Sequence, residues 1–152
     1  MPIAPLHRLL YVSRADAEGR TFEALTEDVV AVSARNNARV GVTGLLVAFD
    51  GWFLQALEGS RQETSATFGR IAKDPRHSVL ELISAGPIDA RLFGRWSMSA
   101  RTITPAAAPV LDMLGARGGM NPRELDSAGA LRLLLTVARV SEGALERVAA
   151  RA

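Results

Sequence analysis

Residues Gly41–Gly59 read GVTGLLVAFDGWFLQALEG, and the reading of this stretch decides the architecture. Two apolar runs flank Asp50-Gly51. That pair favours a two-residue hairpin, because both central positions of a type I′ turn need positive φ. Gly41–Asp50 and Trp52–Glu58 are therefore predicted as neighbouring strands, and Gly59 ends the second. Period-two alternation puts Phe53, Gln55 and Leu57 on one face and Trp52, Leu54, Ala56 and Glu58 on the other. Both faces are largely apolar, so both need a cover.

Upstream, Arg8–Ser13 (RLLYVS) reads as a short buried strand, with Leu9, Tyr11 and Ser13 opposing Leu10 and Val12. Asp16 and Gly19 signal a loop, and Thr21 can cap the helix that follows. Phe22, Leu25, Val29 and Val32 form its apolar stripe, which runs to about Asn36. Downstream, Arg61–Asp74 reads as a second helix with Phe68 and Ile71 inward, stopped by Pro75. Ser78–Ala85 is a fourth strand broken by Gly86-Pro87, and Phe93–Arg101 a fifth. The order β-α-β-β-α-β-β is that of an α+β, ferredoxin-like sheet with two helices on one face.

The texture changes after Thr104. Pro105–Pro109 is hinge-like, Val110–Leu114 one or two helical turns, and Gly115–Gly119 flexible. Pro122–Arg139 and Glu142–Ala150 read as C-terminal helices. The expected division is a domain over 1–101 and a helical extension over 102–152. The sheet face carrying Leu10, Val12, Trp52 and Leu54 should be covered by those helices or by a second protomer. Leu131–Val140 (LRLLLTVARV) is apolar enough to do the covering or to drive self-association. A homo-oligomer is expected, a dimer first, since two-fold symmetry dominates among oligomers.

Composition excludes several classes. The 152 residues are 48% hydrophobic and 22% charged, which is ordinary for a globular chain. No apolar run approaches the ~18–20 residues of a spanning helix, and the N-terminus lacks the pattern of a secretory signal. A cytoplasmic location is the expectation. The absence of cysteine removes disulfides, thiolate metal sites and cysteine nucleophiles, and no metal site is expected. All but one of the eighteen basic residues are arginine, Lys73 being the exception. They are scattered, and the net charge is only +2, so no nucleic-acid footprint is expected.

Four polar features fall where the layout expects burial: Tyr11 mid-strand, Asn36 and Asn37 at the end of the first helix, Gln55 in an apolar strand, and Arg70 with Asp74 on one face of the second helix. Each has an ordinary explanation: a ring buried for its own sake, a helix C-terminus, a satisfied core amide, a solvated ion pair. Together they supply donors and acceptors without a strong acid, base or nucleophile. That equips a site poorly for hydrolysis and well for holding a planar heterocycle.

Taken in order, RLLYVSRA, ARNNARVGVTGLLV, DGWFLQALEGSR, IAKDPRH and FGRWSM resemble the BLUF family, domains that sense blue light using flavin. The resemblance runs from about Leu6 to Ser99, and its most specific pieces are NNARVGVTG, FLQALEG and the DPRH turn. It implies a flavin held noncovalently between the two helices, FAD first, with FMN or riboflavin as alternatives. Tyr11 would then be the light-driven electron and proton donor. Gln55 would stand between Tyr11 and the flavin N5/O4 edge. Asn37 would bond the O4/N3 edge, Asn36 the pyrimidine side and Arg70 the O2 region. Asp74 would lie near the ribityl chain, with Arg76 and His77 toward the phosphate end. Ser13, Trp96 and Met98 would lie close to the glutamine, the last two passing the signal to the C-terminal helices and on to a partner protein. Such a chain is a non-enzymatic sensor. The alternatives are a light-independent flavin-binding or structural domain, and a small flavin reductase or acylphosphatase-like hydrolase. Against the hydrolase, Ala15–Gly19 offers no glycine-rich anion cradle.

Overall fold

The computed structural model describes residues 5–16, 18–49, 51–94, 99–103, 122–139 and 145–149. Among the described residues six strands make one sheet: β1 (Leu6–Ala15), β2 (Thr43–Phe49), β3 (Trp52–Ser60), β4 (His77–Ile88), β5 (Ser99–Ile103) and β6 (Leu145–Ala149), in the order β4-β1-β3-β2-β5-β6. β1 pairs antiparallel with β3 and β4, and β2 and β3 form the expected hairpin. β5 joins β2 in parallel, and β6 pairs antiparallel with β5. Helices α1 (Phe22–Val40) and α2 (Arg61–Ala72) pack on one face of the sheet. The four strands β4-β1-β3-β2 and these two helices are the α+β, ferredoxin-like layer that the element order implied.

Local chemistry sets most boundaries. Thr21 caps α1 by accepting from the Ala24 N–H at 3.1 Å, and Ser60 caps α2 by accepting from Glu63 at 3.1 Å. Asn36 and Asn37 do not end α1. It runs to Val40 and stops at Gly41, whose φ of 71° and ψ of 24° give the left-handed C-terminal cap that glycine adopts without strain. α2 ends at Ala72 instead of Asp74. Gly86 and Pro87 do not break β4, because β4 is an edge strand, where a residue without an N–H is tolerated.

The two sheet faces hold two cores. Leu9, Tyr11, Leu46, Phe53 and Leu57 face α1 and α2, meeting Leu25, Val29, Val30 and Ala34. Leu10, Leu45, Val47, Leu54 and Ala56 face the other way and are covered by α3 (Ser127–Arg139) through Ala130, Leu133, Leu134 and Val137. The C-terminal helix thus packs on the open face of its own sheet. It begins at Ser127 because Asp126 caps it, its Oδ1 accepting from the Gly129 N–H at 2.7 Å, while Pro122–Glu124 form a separate 3₁₀ turn.

Two further expectations need correction. Phe93 does not open the fifth strand: it is buried in a turn against α3, and β5 is Ser99–Ile103. Residues 145–149 form β6, not part of a second C-terminal helix. Pairing along the open side of β5 outweighs the helix propensity of their Leu, Glu, Arg and Ala side chains. The segments Pro105–Pro109, Val110–Leu114 and Gly115–Gly119, and Asp50 of the hairpin, lie outside the described residues.

Candidate functional site

The site is built on the face covered by α1 and α2. Register places Tyr11 of β1 directly opposite Gln55 of β3. Parity then points both side chains at the helices. Tyr11 is fully buried and Gln55 is 2% exposed. The Tyr11 hydroxyl donates a hydrogen bond to Gln55 Oε1. Phe68 of α2 meets the Tyr11 ring edge-on, centroids 5.6 Å apart. Burial pushes the Tyr11 hydroxyl far above the ordinary phenol range, and the negative charge of Asp74 adds to the effect. A phenolate here is strongly disfavoured.

Asn37 is buried in the last turns of α1, with 1% exposure, while Asn36 is half-buried one residue earlier. Asn36, Arg39 and Val40 of α1 and Arg70 of α2 line an open cleft of about 200 Å³. Arg70 is exposed and donates to Thr67 Oγ1 at 3.0 Å. It does not share a helix face with Asp74, which lies past the end of α2.

Asp74 instead clasps Arg76. Its Oδ1 accepts from the Arg76 backbone N–H at 2.9 Å and from Nε at 3.0 Å, and Oδ2 meets the guanidinium NH2 at 2.5 Å. Partial burial works against the charge on Asp74. The Arg76 bonds and charge, with help from His77, win and hold the carboxyl below its usual range. His77 at the start of β4 shares a hydrogen bond with Ser13 Oγ through Nδ1 at 2.8 Å, and its ring meets Phe53 edge-on. Burial lowers its pKa; Asp74 pulls upward against this and Arg76 adds to it, so the imidazole tends to stay neutral. Ser13 is fully buried.

Tyr11, Gln55, Ser13 and His77 therefore form one polar strip on the helix face, ending in the Asp74–Arg76 pair. Asn36 and Arg70 meet at the cleft between the helices. Trp96 and Met98 lie outside the described residues. Arg39 joins the cleft because α1 runs past Asn36 to Val40; Gly41, a glycine just past the apolar stripe, is the sequence signal for that later end. Phe68 was expected inward, but not against the Tyr11 ring. Among the described residues no group of acidic and histidine side chains could hold a metal ion, and no helix is long and apolar enough to cross a membrane.

The donor set fits a flavin. Buried carboxamides, a phenol and a serine hydroxyl offer donors and acceptors on a desolvated face, beside a cleft where Arg70 adds further N–H donors for a carbonyl-bearing ring.

Comparison with known proteins identifies the family. Residues 6–99 match the BLUF family, described as sensors of blue-light using FAD. Among curated relatives, photoactivated adenylate cyclase subunit alpha-like protein FB of Euglena gracilis is 31% identical over 93 residues, covering 61% of this chain. The match spans only 9% of that relative. Among solved structures, BlrB, a BLUF protein in its dark state, is 31% identical with a TM-score of 0.69, covering 88% of this chain and 98% of that one. BlsA in its photo-activated state is similar in fold, with a TM-score of 0.80 at 24% identity, covering 90% of this chain and 96% of that one.

Proposed function

Because the chain belongs to the BLUF family of blue-light sensors, we propose that it is a photoreceptor whose photochemical relay is Tyr11 and Gln55. The observation that carries this reading is the buried hydrogen bond from the Tyr11 hydroxyl to Gln55 Oε1. FAD is the flavin we assign, held between α1 and α2. Asn37 and Gln55 would bond its ring edge, and Asn36 and Arg70 would reach it from the cleft. Ser13 would support the glutamine end, and Asp74, Arg76 and His77 would lie toward the chain and phosphates. Bound flavin supplies the absorption of blue light and, once excited, a strong oxidant.

The rest follows from the chain's own groups. Tyr11 cannot hold an uncompensated charge in a buried apolar setting. When it gives up an electron, its proton must leave too, and Gln55 Oε1 is the acceptor already in place. A carboxamide carries a donor and an acceptor on one planar group. A half-turn of Gln55, or a shift to its tautomer, exchanges them without moving net charge. A glutamate there would bring charge into the site, and an asparagine would be too short. Gln55 is thus the element that keeps a record of illumination after charge has returned. Trp96, Met98 and α3 are the output path in this reading, and a partner protein receives the signal without catalysis by this chain.

The test is the absorption spectrum of the FAD-loaded protein before and after blue light. A small reversible red shift, lost in Tyr11→Phe, is expected. A spectrum unchanged by light, or a shift kept in Tyr11→Phe, would overturn the reading.

A further inference from the structure

Glu58 of β3 has no part in the relay, yet it is fully buried on the sheet face opposite Gln55. A buried carboxylate is costly unless it is paired and its lone pairs are taken. Arg8 supplies the charge, with Nε 2.9 Å and a terminal nitrogen 2.8 Å from Oε2. The main chain supplies the remainder. The Leu92 N–H donates to Oε2 at 3.0 Å and the Phe93 N–H to Oε1 at 2.7 Å. Arg91 completes the anchorage, donating to Thr43 Oγ1 at 2.8 Å, to the Glu58 carbonyl at 3.1 Å and to the Gly41 carbonyl at 2.8 Å.

Three consecutive residues, 91–93, are therefore tied to β3, which carries Gln55, to the start of β2, and to the C-terminal cap of α1, which carries Asn36 and Asn37. Phe93 is buried in the core cluster formed with Leu133, Leu134 and Val137 of α3. Apolar packing of α3 on Leu10, Leu45 and Leu54 has no fixed direction and tolerates small slides. The Glu58 carboxylate, in contrast, fixes the Phe93 backbone directionally. An ion pair in such a place adds little stability over a well-packed apolar pair, and its distinctive contribution is position.

Resting on the photoreceptor reading above, we propose that Glu58, with Arg91, is a positioning residue for signal output. It holds the 91–93 turn in step with β3 and α1, so that a displacement arising at Gln55 or Asn37 reaches α3 through Phe93.

The test compares three FAD-loaded variants of the full chain with wild type by two readouts: the light-induced red shift, and the light-minus-dark difference in hydrogen exchange over residues 127–139. Arg8→Met/Glu58→Gln keeps a carbonyl for the Phe93 N–H and should retain both. Arg8→Met/Glu58→Met removes that acceptor, and should keep the red shift while its exchange difference falls at least about three-fold. Arg91→Met loosens the same turn while leaving the Glu58 carboxylate paired with Arg8, so it serves should the methionine pair fail to fold; the same loss is expected. An exchange difference of wild-type size in Arg91→Met or in the methionine pair would overturn the proposal. So would a wild type that shows the red shift without any exchange difference in α3. A wild type lacking the red shift would instead bring down the photoreceptor reading beneath it.

Discussion

Tyr11 and Gln55 face each other across the β1–β3 ladder, and a buried hydrogen bond joins their side chains. The phenol is the donor and the carboxamide oxygen the acceptor. The contact forms because strand alternation turns both residues toward α1 and α2, away from α3.

The cover over the opposite face should be worth measuring in stability. Leu134 is fully buried between α3 and the sheet. Leu134→Ala is expected to cost about 2–5 kcal/mol in urea unfolding, as buried leucine truncations do. Unchanged stability would contradict the packing of α3 on its own sheet. Because that sheet face is covered within the chain, a dimer built on the sheet face itself would have to displace α3 first.

The hairpin is constrained at Gly44. A Cβ added there would lie 2.1 Å from the Ala56 carbonyl oxygen, which belongs to the backbone and cannot swing aside. Gly44→Ala should lose about 1–3 kcal/mol through forced strand displacement, read as a fall in Tm. Since Ala56 adjoins Gln55, a tolerated alanine would count against the β2–β3 register.

Arg8 and Glu58 should behave as a pair. Arg8→Met alone leaves Glu58 buried without its cation and is expected to cost about 3–5 kcal/mol. Arg8→Met/Glu58→Gln should recover a substantial part of that loss. Equal destabilisation of the single and double variants in denaturant titration would contradict the coupling.

Acid should weaken the polar strip through His77. Its folded pKa lies below the ordinary 6.5 because burial opposes its charge. Stability from a depressed pKa is complete above the unfolded value and is lost as pH falls through the folded one. Unfolding free energy should therefore hold near neutrality and decline below pH 6.5, and His77→Gln should flatten that decline. Asp74, also depressed, acts in a separate window below 3.8. An identical slope in the variant would refute the assignment to His77.

Much of this was legible in the sequence because it is local. The alternation of Trp52–Glu58 placed Gln55 opposite Leu54 and Ala56, and Thr21 marked the start of α1. The misreadings arose where distant partners decide. Asn36-Asn37 looked like a helix end, but α1 continues until Gly41 supplies the left-handed cap. Residues 145–149 have helical composition, yet the edge of β5 takes them as a strand. Glu58 read as a strand residue of the α3 face; nothing nearby in sequence announces Arg8, Leu92 and Phe93 as its partners. Asp74 was placed with Arg70 by spacing, whereas the end of α2 at Ala72 leaves it to Arg76.

The central claim is that the Gln55 carboxamide changes hydrogen-bond partners on illumination. The chain has only two glutamines, Gln55 and Gln62, so carbon-13 labelling of the glutamine carboxamide followed by light-minus-dark infrared difference spectroscopy isolates it. A label-sensitive difference band that survives Gln62→Asn and disappears in Gln55→Leu is the expected result. A red-shifted flavin band without any label-sensitive glutamine signal would contradict the account.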